Sequence, residues 1–135
     1  MSSNIPLTPY LSFNGNCEEA LHTYKSILGG NYEIIQRYDN ASLPSLPDYK
    51  DKILHGQFEF GGNKVFVSDT FPGSIVSGNN IALSLEFENE KIAEGVFRKL
   101  SEGGKIQVPF EKQFWGAWHG NLIDRFGIRW MLNVG

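Results

Sequence analysis

The sequence predicts an α+β fold built from two β-α-β-β-β modules. Three observations predict it: short runs in which apolar residues alternate as they do in half-buried strands, two longer runs with apolar residues at three- and four-residue spacing, and a Gly-Gly pair closing each longer run. From Leu7 to Phe13, Leu7, Pro9, Leu11 and Phe13 alternate with Thr8, Tyr10 and Ser12, the pattern of a first strand with a proline near its start. Asn16 then stands as N-cap with Glu19 three residues on, and Cys17, Ala20, Leu21, Tyr24, Ile27 and Leu28 form the stripe of a helix that Gly29-Gly30 stops. Asn31 to Tyr38, Lys52 to Phe60 and Lys64 to Asp69 read as three further strands, the last two joined by the turn Gly61-Gly62-Asn63.

After a turn-rich stretch from Phe71 to Asn79 the same order returns. A strand from Asn80 to Phe87 precedes a helix from about Asn89 to Glu102, which carries Ile92, Ala93, Val96, Phe97 and Leu100 and ends at Gly103-Gly104. Lys105 to Phe110, Trp115 to Asp124 and Ile128 to Val134 supply three more strands, the last two linked around Arg125-Phe126-Gly127. An offset of 74 residues superposes Leu11 on Leu85, Phe13 on Phe87, Gly29 on Gly103 and Gly30 on Gly104, with Tyr32 falling on Ile106. Two loops stand out, Asp39 to Asp51 with Pro44 and Pro47, and Thr70 to Asn79 with Pro72, Gly73 and Gly78; each has the length of a lid or of a plain connection.

A chain of 135 residues has the size of one compact domain, here with modules at about 5–70 and 79–135. At 41% hydrophobic and 20% charged it has apolar area enough to fold, which argues against disorder. Twelve basic and fifteen acidic residues give a net charge of −3 with neither sign gathered into a block, so nucleic acid and membrane surfaces are poor partners. One cysteine forms no intrachain disulfide, the polar Met1-Ser2-Ser3-Asn4 is unlike a secretion signal, and no apolar run is long enough for a membrane helix; a cytoplasmic location is expected.

If each helix covers one face of its sheet, the alternate strand residues point together on the other face. That set is Thr8, Tyr10 and Ser12; His55, Gln57 and Glu59; Lys64, Phe66 and Ser68; Asn80, Ala82, Ser84 and Glu86; and Arg129, Met131 and Asn133. Curled into a half-open mixed β-barrel with the helices outside, these residues would line a wet cup for a small molecule, though a sheet whose second face meets solvent alternates in the same way. His55 and Glu59 are the candidates for general acid-base work, and Tyr10, His55, Gln57, Asn80, Glu86, Trp115 and Arg129 for ligand binding. A lone strand histidine is also commonly a hydrogen-bonded structural residue. Arg129 suits an acidic ligand or a pairing with Glu59 or Glu86, and a displaced metal site would draw on His55, Glu59 and Glu86. Trp115, Trp118 and Trp130 serve stacking on a ligand or, more commonly, core and dimer packing; the face taken by His119 stays open. His22 is expected in solvent, Asp69 as a cap on the loop after it, and Cys17 as packing.

The opening Thr8-Pro9-Tyr10-Leu11-Ser12-Phe13-Asn14-Gly15-Asn16, the helix end Tyr24-Lys25-Ser26-Ile27-Leu28-Gly29-Gly30 and the stretches Phe114 to Gly120 and Asp124 to Trp130 resemble PhnB-like proteins of the vicinal oxygen chelate superfamily, alongside glyoxalases, bleomycin-resistance proteins and extradiol dioxygenases. The resemblance spans essentially the whole chain and implies paired βαβββ modules and a homodimer, which the three tryptophans and ten phenylalanines also suggest. It also implies a divalent metal held from the first and last strand of each module, at places that fall here on Thr8, Phe66 to Ser68, Asn80 and Met131, none of them a good ligand. The expectation is therefore a binder of a small organic molecule with no cofactor. The alternative is a lyase or dioxygenase-like enzyme with a metal at a non-standard site. The methyltransferase name carried by many PhnB-like sequences implies a nucleotide-like donor, yet the Gly29-Gly30 pair follows a helix rather than a strand.

Overall fold

The computed structural model describes residues 4–40, 49–71 and 73–135. Contacts divide the chain into two compact units, Met1–Ile75 and Val76–Gly135. The first holds β1 (Tyr10–Phe13), α1 (Cys17–Leu28), β2 (Asn31–Arg37), a short 3₁₀ turn (Tyr38–Asn40), β3 (Ile53–Phe60) and β4 (Asn63–Asp69). The second holds β5 (Leu83–Phe87), α2 (Glu90–Ser101), β6 (Lys105–Lys112), β7 (Trp118–Ile123) and β8 (Arg129–Val134). The strands hydrogen-bond as two separate four-stranded mixed sheets, in the orders β1-β4-β3-β2 and β5-β8-β7-β6, each with its outer parallel pair made by the first and last strand of the unit. This is the βαβββ module twice over, and hydrogen bonding does not close the strands into one barrel.

The repeat has a physical cause at the Gly-Gly pairs. Gly29 and Gly103 end the helices at φ +76 and +72, the left-handed region that suits glycine. At Gly30 an added Cβ would lie 2.0 Å from the Glu59 carbonyl oxygen, and at Gly104 it would lie 2.3 Å from that of Ile123. The second strand of each unit thus starts hard against the backbone of the third, and no side chain fits between them. The offset of 74 holds only up to this point, because the segment between β2 and β3 has no counterpart of its length in the second unit. Much of it, including Pro44 and Pro47 of the expected loop, lies outside the described residues, as does Pro72.

Each helix buries its stripe on one face of its sheet. In the first unit Cys17, Ala20, Leu21 and Tyr24 are buried, as are Leu11, Phe13, Ile53, Phe58, Val65 and Val67 from the strands. In the second the buried set is Ala93, Phe97 and Leu100 from α2 with Leu122, Trp130 and Leu132 from the sheet. Removing each large side chain from water contributes about 1.5–3 kcal/mol, so within each unit this burial holds the helix on its own sheet.

Several boundaries depart from expectation. Strand one begins at Tyr10 rather than Leu7, which is 87% exposed, although the Pro9 carbonyl still accepts from the Phe66 N–H at 2.9 Å. Strand five begins at Leu83, which leaves Asn80 and Ile81 exposed ahead of it. The strand expected from Trp115 starts at Trp118, because Gln113 and Ala117 close a turn over Phe114 and Trp115. Asn16 makes no side-chain cap; Asn89, its counterpart, accepts from the backbone N–H groups of Lys91 at 2.8 Å and Ile92 at 3.0 Å. Asp69, expected to cap its own loop, is instead buried, with one oxygen accepting from Cys17 N–H and the other from Ile53 N–H, both at 2.9 Å. The helix dipole therefore meets a carboxylate from β4. Cys17 is packing, as expected, and burial, then the charges of Asp69 and Glu18, push its thiol far above the ordinary range.

Candidate functional site

The face of each sheet away from its helix carries the polar groups, and register decides which of them meet. In the first unit the cross-strand row Tyr10–Phe66–Gln57–Glu33 lies beside the rows of Ser12 and Ser68 and of Lys64 and Glu59. His55 joins Tyr10 and Phe66: the Tyr10 hydroxyl is 3.2 Å from His55 Nδ1, and the ring centroids stand 5.8 Å and 5.2 Å from that of His55. Further along, Gln57 Nε2 donates to Glu59 Oε1 at 3.2 Å, with Lys64 Nζ at 3.9 Å from the same oxygen. An open depression of about 490 Å³ at this end of β2, β3 and β4 is lined by Tyr32, Glu33, Gln57, Glu59 and Lys64. Of the sequence candidates, Tyr10 and His55 thus meet, as do Gln57 and Glu59, in two separate groups.

The second unit holds a more connected arrangement, in which Ser84, Arg129 and Asn133 of the expected polar face are joined by His119, whose face the sequence leaves open, and by Asn121, Gln107 and Asn79, which the sequence reading missed. His119 lies on the polar face, because β7 pairs His119 with Asn133, Gly120 with Leu132 and Asn121 with Met131. Arg129 Nε donates to Gln107 Oε1 at 3.0 Å, Nη1 to the Asn79 carbonyl at 3.0 Å, and Nη2 to Asn121 Oδ1 at 3.5 Å. Asn121 Nδ2 lies 3.1 Å from His119 Nε2, His119 Nδ1 lies 2.7 Å from Asn133 Oδ1, and Asn133 Nδ2 donates to Ser84 Oγ at 3.1 Å. Gln107 reaches Arg129 from a bulge: the pairing of β6 with β7 steps from Ile106–Leu122 to Val108–Asn121 and leaves Gln107 as the extra residue.

The direction of this chain follows from the guanidinium, which only donates. Asn121 must present Oδ1 to Arg129 and so turns its amide nitrogen to His119 Nε2. That nitrogen must accept, so the imidazole carries its proton on Nδ1 and donates to Asn133 Oδ1. Asn133 then donates to Ser84, whose hydroxyl remains free to donate outward. Five side chains from β5, β7 and β8 are thereby aligned in one sense, donor to acceptor, from a fixed charge to an exposed hydroxyl.

Other candidates sit apart from this chain. Asn80 precedes β5 and is exposed; Glu86 is the cross-strand neighbour of Asn133 and also exposed. Trp115 is 61% exposed, in an edge contact with Phe114 at 4.8 Å between ring centroids, and it joins none of the polar groups. Trp130 is buried, donating from Nε1 to Asp124 at 2.9 Å, and Trp118 stacks on Phe110. His22 is exposed as expected and touches the Tyr32 hydroxyl. The signal that could have located His119 is a repeat within the third strands: His55-Gly56-Gln57 in β3 and His119-Gly120-Asn121 in β7. Gly56 pairs with Val67 and Gly120 with Leu132, equivalent places on the helix-facing side, so both histidines point the other way.

The metal places that the sequence resemblance implies hold few side chains suited to a divalent ion. Thr8 and Asn80 lie outside the strands, and the polar-face residues at the equivalent places are Tyr10, Ser12, Phe66 and Ser68 in one unit and Ser84, Glu86, Met131 and Asn133 in the other. Hydroxyls, a thioether and an amide with one carboxylate are a poor donor set. Among the described residues, no three His, Cys, Asp or Glu side chains come together as a metal site, and no helix is long and apolar enough to cross a membrane.

Comparison with known proteins gives a consistent picture. Residues 6–133 match the family model described as 3-demethylubiquinone-9 3-methyltransferase. The chain is 32% identical to protein YjdN of Escherichia coli (strain K12), covering 96% of this chain and 95% of that one. Among solved structures it is similar to protein PA1353 from Pseudomonas aeruginosa, at 36% identity and TM-score 0.83 over 97% of this chain and 98% of that one. It is also similar to the PhnB protein from Bacillus cereus, at 26% identity and TM-score 0.81 over 96% and 98%.

Proposed function

Because the chain belongs to the PhnB-like family of the vicinal oxygen chelate superfamily, we propose that it binds a small organic molecule against its polar strand faces without the metal typical of that superfamily. The observation that carries this reading is the one-directional chain from Arg129 through Asn121, His119 and Asn133 to Ser84. Such a chain holds its members in fixed orientations and presents defined donors to a ligand, which is how a binding site fixes orientation. Within the first unit, and separately, the Tyr10–His55–Phe66 cluster offers ring faces on which a planar molecule could stack. A methyl donor of nucleotide type finds no support in the glycine pairs, since Gly30 and Gly104 are filled against strand backbone rather than open to a phosphate.

The proposal extends to a cytoplasmic homodimer, for which the exposed Phe114 and Trp115 offer apolar area, at 98% and 61% exposure. Light scattering at micromolar concentration is expected to return twice the 15.2 kDa chain mass. The binding reading is tested by elemental analysis after dialysis together with a thermal-shift screen of planar aromatic and acidic compounds. Retention of no stoichiometric metal and stabilisation by members of the screen are expected. About one metal ion per chain, released on replacing His55 or Glu59 by Ala, with turnover of glyoxal-thiol adducts or catechols, would overturn it in favour of a metalloenzyme.

A further inference from the structure

The guanidinium of Arg129 is half-buried, and its hydrogen bonds go to an amide oxygen of Gln107, a backbone carbonyl of Asn79 and an amide oxygen of Asn121, all neutral. Among the described residues it forms no ion pair, so neither Glu59 nor Glu86 takes the role the sequence suggested. A guanidinium has five N–H donors, and three are committed here. A partly desolvated cation without a counter-charge is an open half of a charge-assisted pair.

Its surroundings sort the charge along the face. Arg129 lies in register with Ile123 and, one strand further, with Lys105, so a second cation stands on the same row. The opposite end of the face carries Glu86, paired with Asn133, and Glu111, paired with His119. Met131 lies between the two ends, beside Ser84. An anion is therefore favoured at the Arg129 end and repelled at the other, while Met131 offers an apolar contact and Ser84 a hydroxyl donor between them.

Building on the small-molecule reading above, we infer that the ligand of this face is a small organic acid whose oxyanion, a carboxylate or a phosphonate, seats on Arg129. Gln107, Asn79 and Asn121 orient the guanidinium by taking one donor from each of its three nitrogens, which leaves one N–H on each terminal nitrogen for the ligand oxygens.

The test is a titration of the 15N-labelled chain with benzoate, methylphosphonate and the neutral benzamide, following the Arg129 Nε–H signal and the amides of β7 and β8. At least one anion is expected to shift these signals saturably, about tenfold or more tightly than benzamide. Arg129→Gln is expected to abolish the saturation and Arg129→Lys to weaken it while keeping the charge, so a fold defect in one variant does not decide the outcome. Which anion binds separates carboxylate from phosphonate. Benzamide binding as tightly as benzoate at these residues would overturn the oxyanion inference and leave the small-molecule reading standing. Saturation by none of the three, or shifts at exposed lysines alone, would overturn the inference and count against the reading it rests on.

Discussion

Asp69 Oδ1 accepts the backbone N–H of Cys17 at 2.9 Å, so the carboxylate that caps the first helix comes from the last strand of its own module, 52 residues away in sequence. Its other oxygen accepts from Ile53 N–H at 2.9 Å, and its own carbonyl accepts the Tyr38 hydroxyl at 2.7 Å. One 1%-exposed side chain thus ties α1 and β3 to β4.

Replacing Asp69 by Ala strands two buried N–H donors, and Asp69→Asn turns an amide donor toward one of them. Each is expected to destabilise the chain by about 2–4 kcal/mol, with the alanine variant the worse. Urea unfolding followed by tryptophan fluorescence measures this; an unchanged midpoint for Asp69→Ala would show that water replaces the carboxylate.

At Gly120 an added Cβ would lie 2.7 Å from Phe110 Cα and 2.8 Å from Phe97 Cε2, whereas at Gly56 the tightest approach is 3.0 Å to the Glu33 carbonyl oxygen. Gly120→Ala is expected to cost about 1–3 kcal/mol through forced shifts of β6 and Phe97, and Gly56→Ala clearly less. Thermal midpoints of the two variants give the comparison, and an equal loss would contradict it.

The chain ending at Ser84 predicts the protonation pattern of His119. Ring 15N shifts are expected to show the neutral Nδ1–H tautomer in the wild type. Asn121→Asp offers an acceptor to both Arg129 and His119 Nε2, so both ring nitrogens are expected to carry protons in the same buffer. A spectrum unchanged by this substitution would mean that Arg129 does not set the direction of the chain.

Glu18 and Arg37 form a two-bond pair, at 3.0 and 3.1 Å, which holds the Glu18 carboxyl below the usual range chiefly through the hydrogen bonds from Arg37. A carboxylate with a lowered folded-state pKa contributes stability that is present above its unfolded pKa, about 4.3, and lost as pH falls through the folded one. Because the Glu18 side chain is 44% exposed, solvent screening limits the contribution to about 0.5 kcal/mol. Glu18→Gln is expected to lower the urea midpoint slightly at pH 7, and the gap to the wild type is expected to narrow as pH falls below the unfolded pKa. A gap that stays constant through the acid range would assign the effect to packing.

The amino-acid sequence by itself determined the module, its duplication and the polar face of most strands. Period-two alternation and helical spacing are local, and a Gly-Gly pair after each stripe marks where a helix must end and a strand begin. The faces of Tyr10, His55, Gln57, Ser84 and Arg129 follow from parity alone. Tertiary structure decided the cap on α1, because Asp69 reaches Cys17 only once β4 lies parallel to β1. It decided the place of His119, because apolar residues on both sides of Trp118 hide the parity until Gly120 is seen against Phe97 and Phe110. It also decided the partners of Arg129. Gln107 reaches it from a β-bulge and Asn79 through a backbone carbonyl, contacts that depend on register and loop path rather than on the period of the strand.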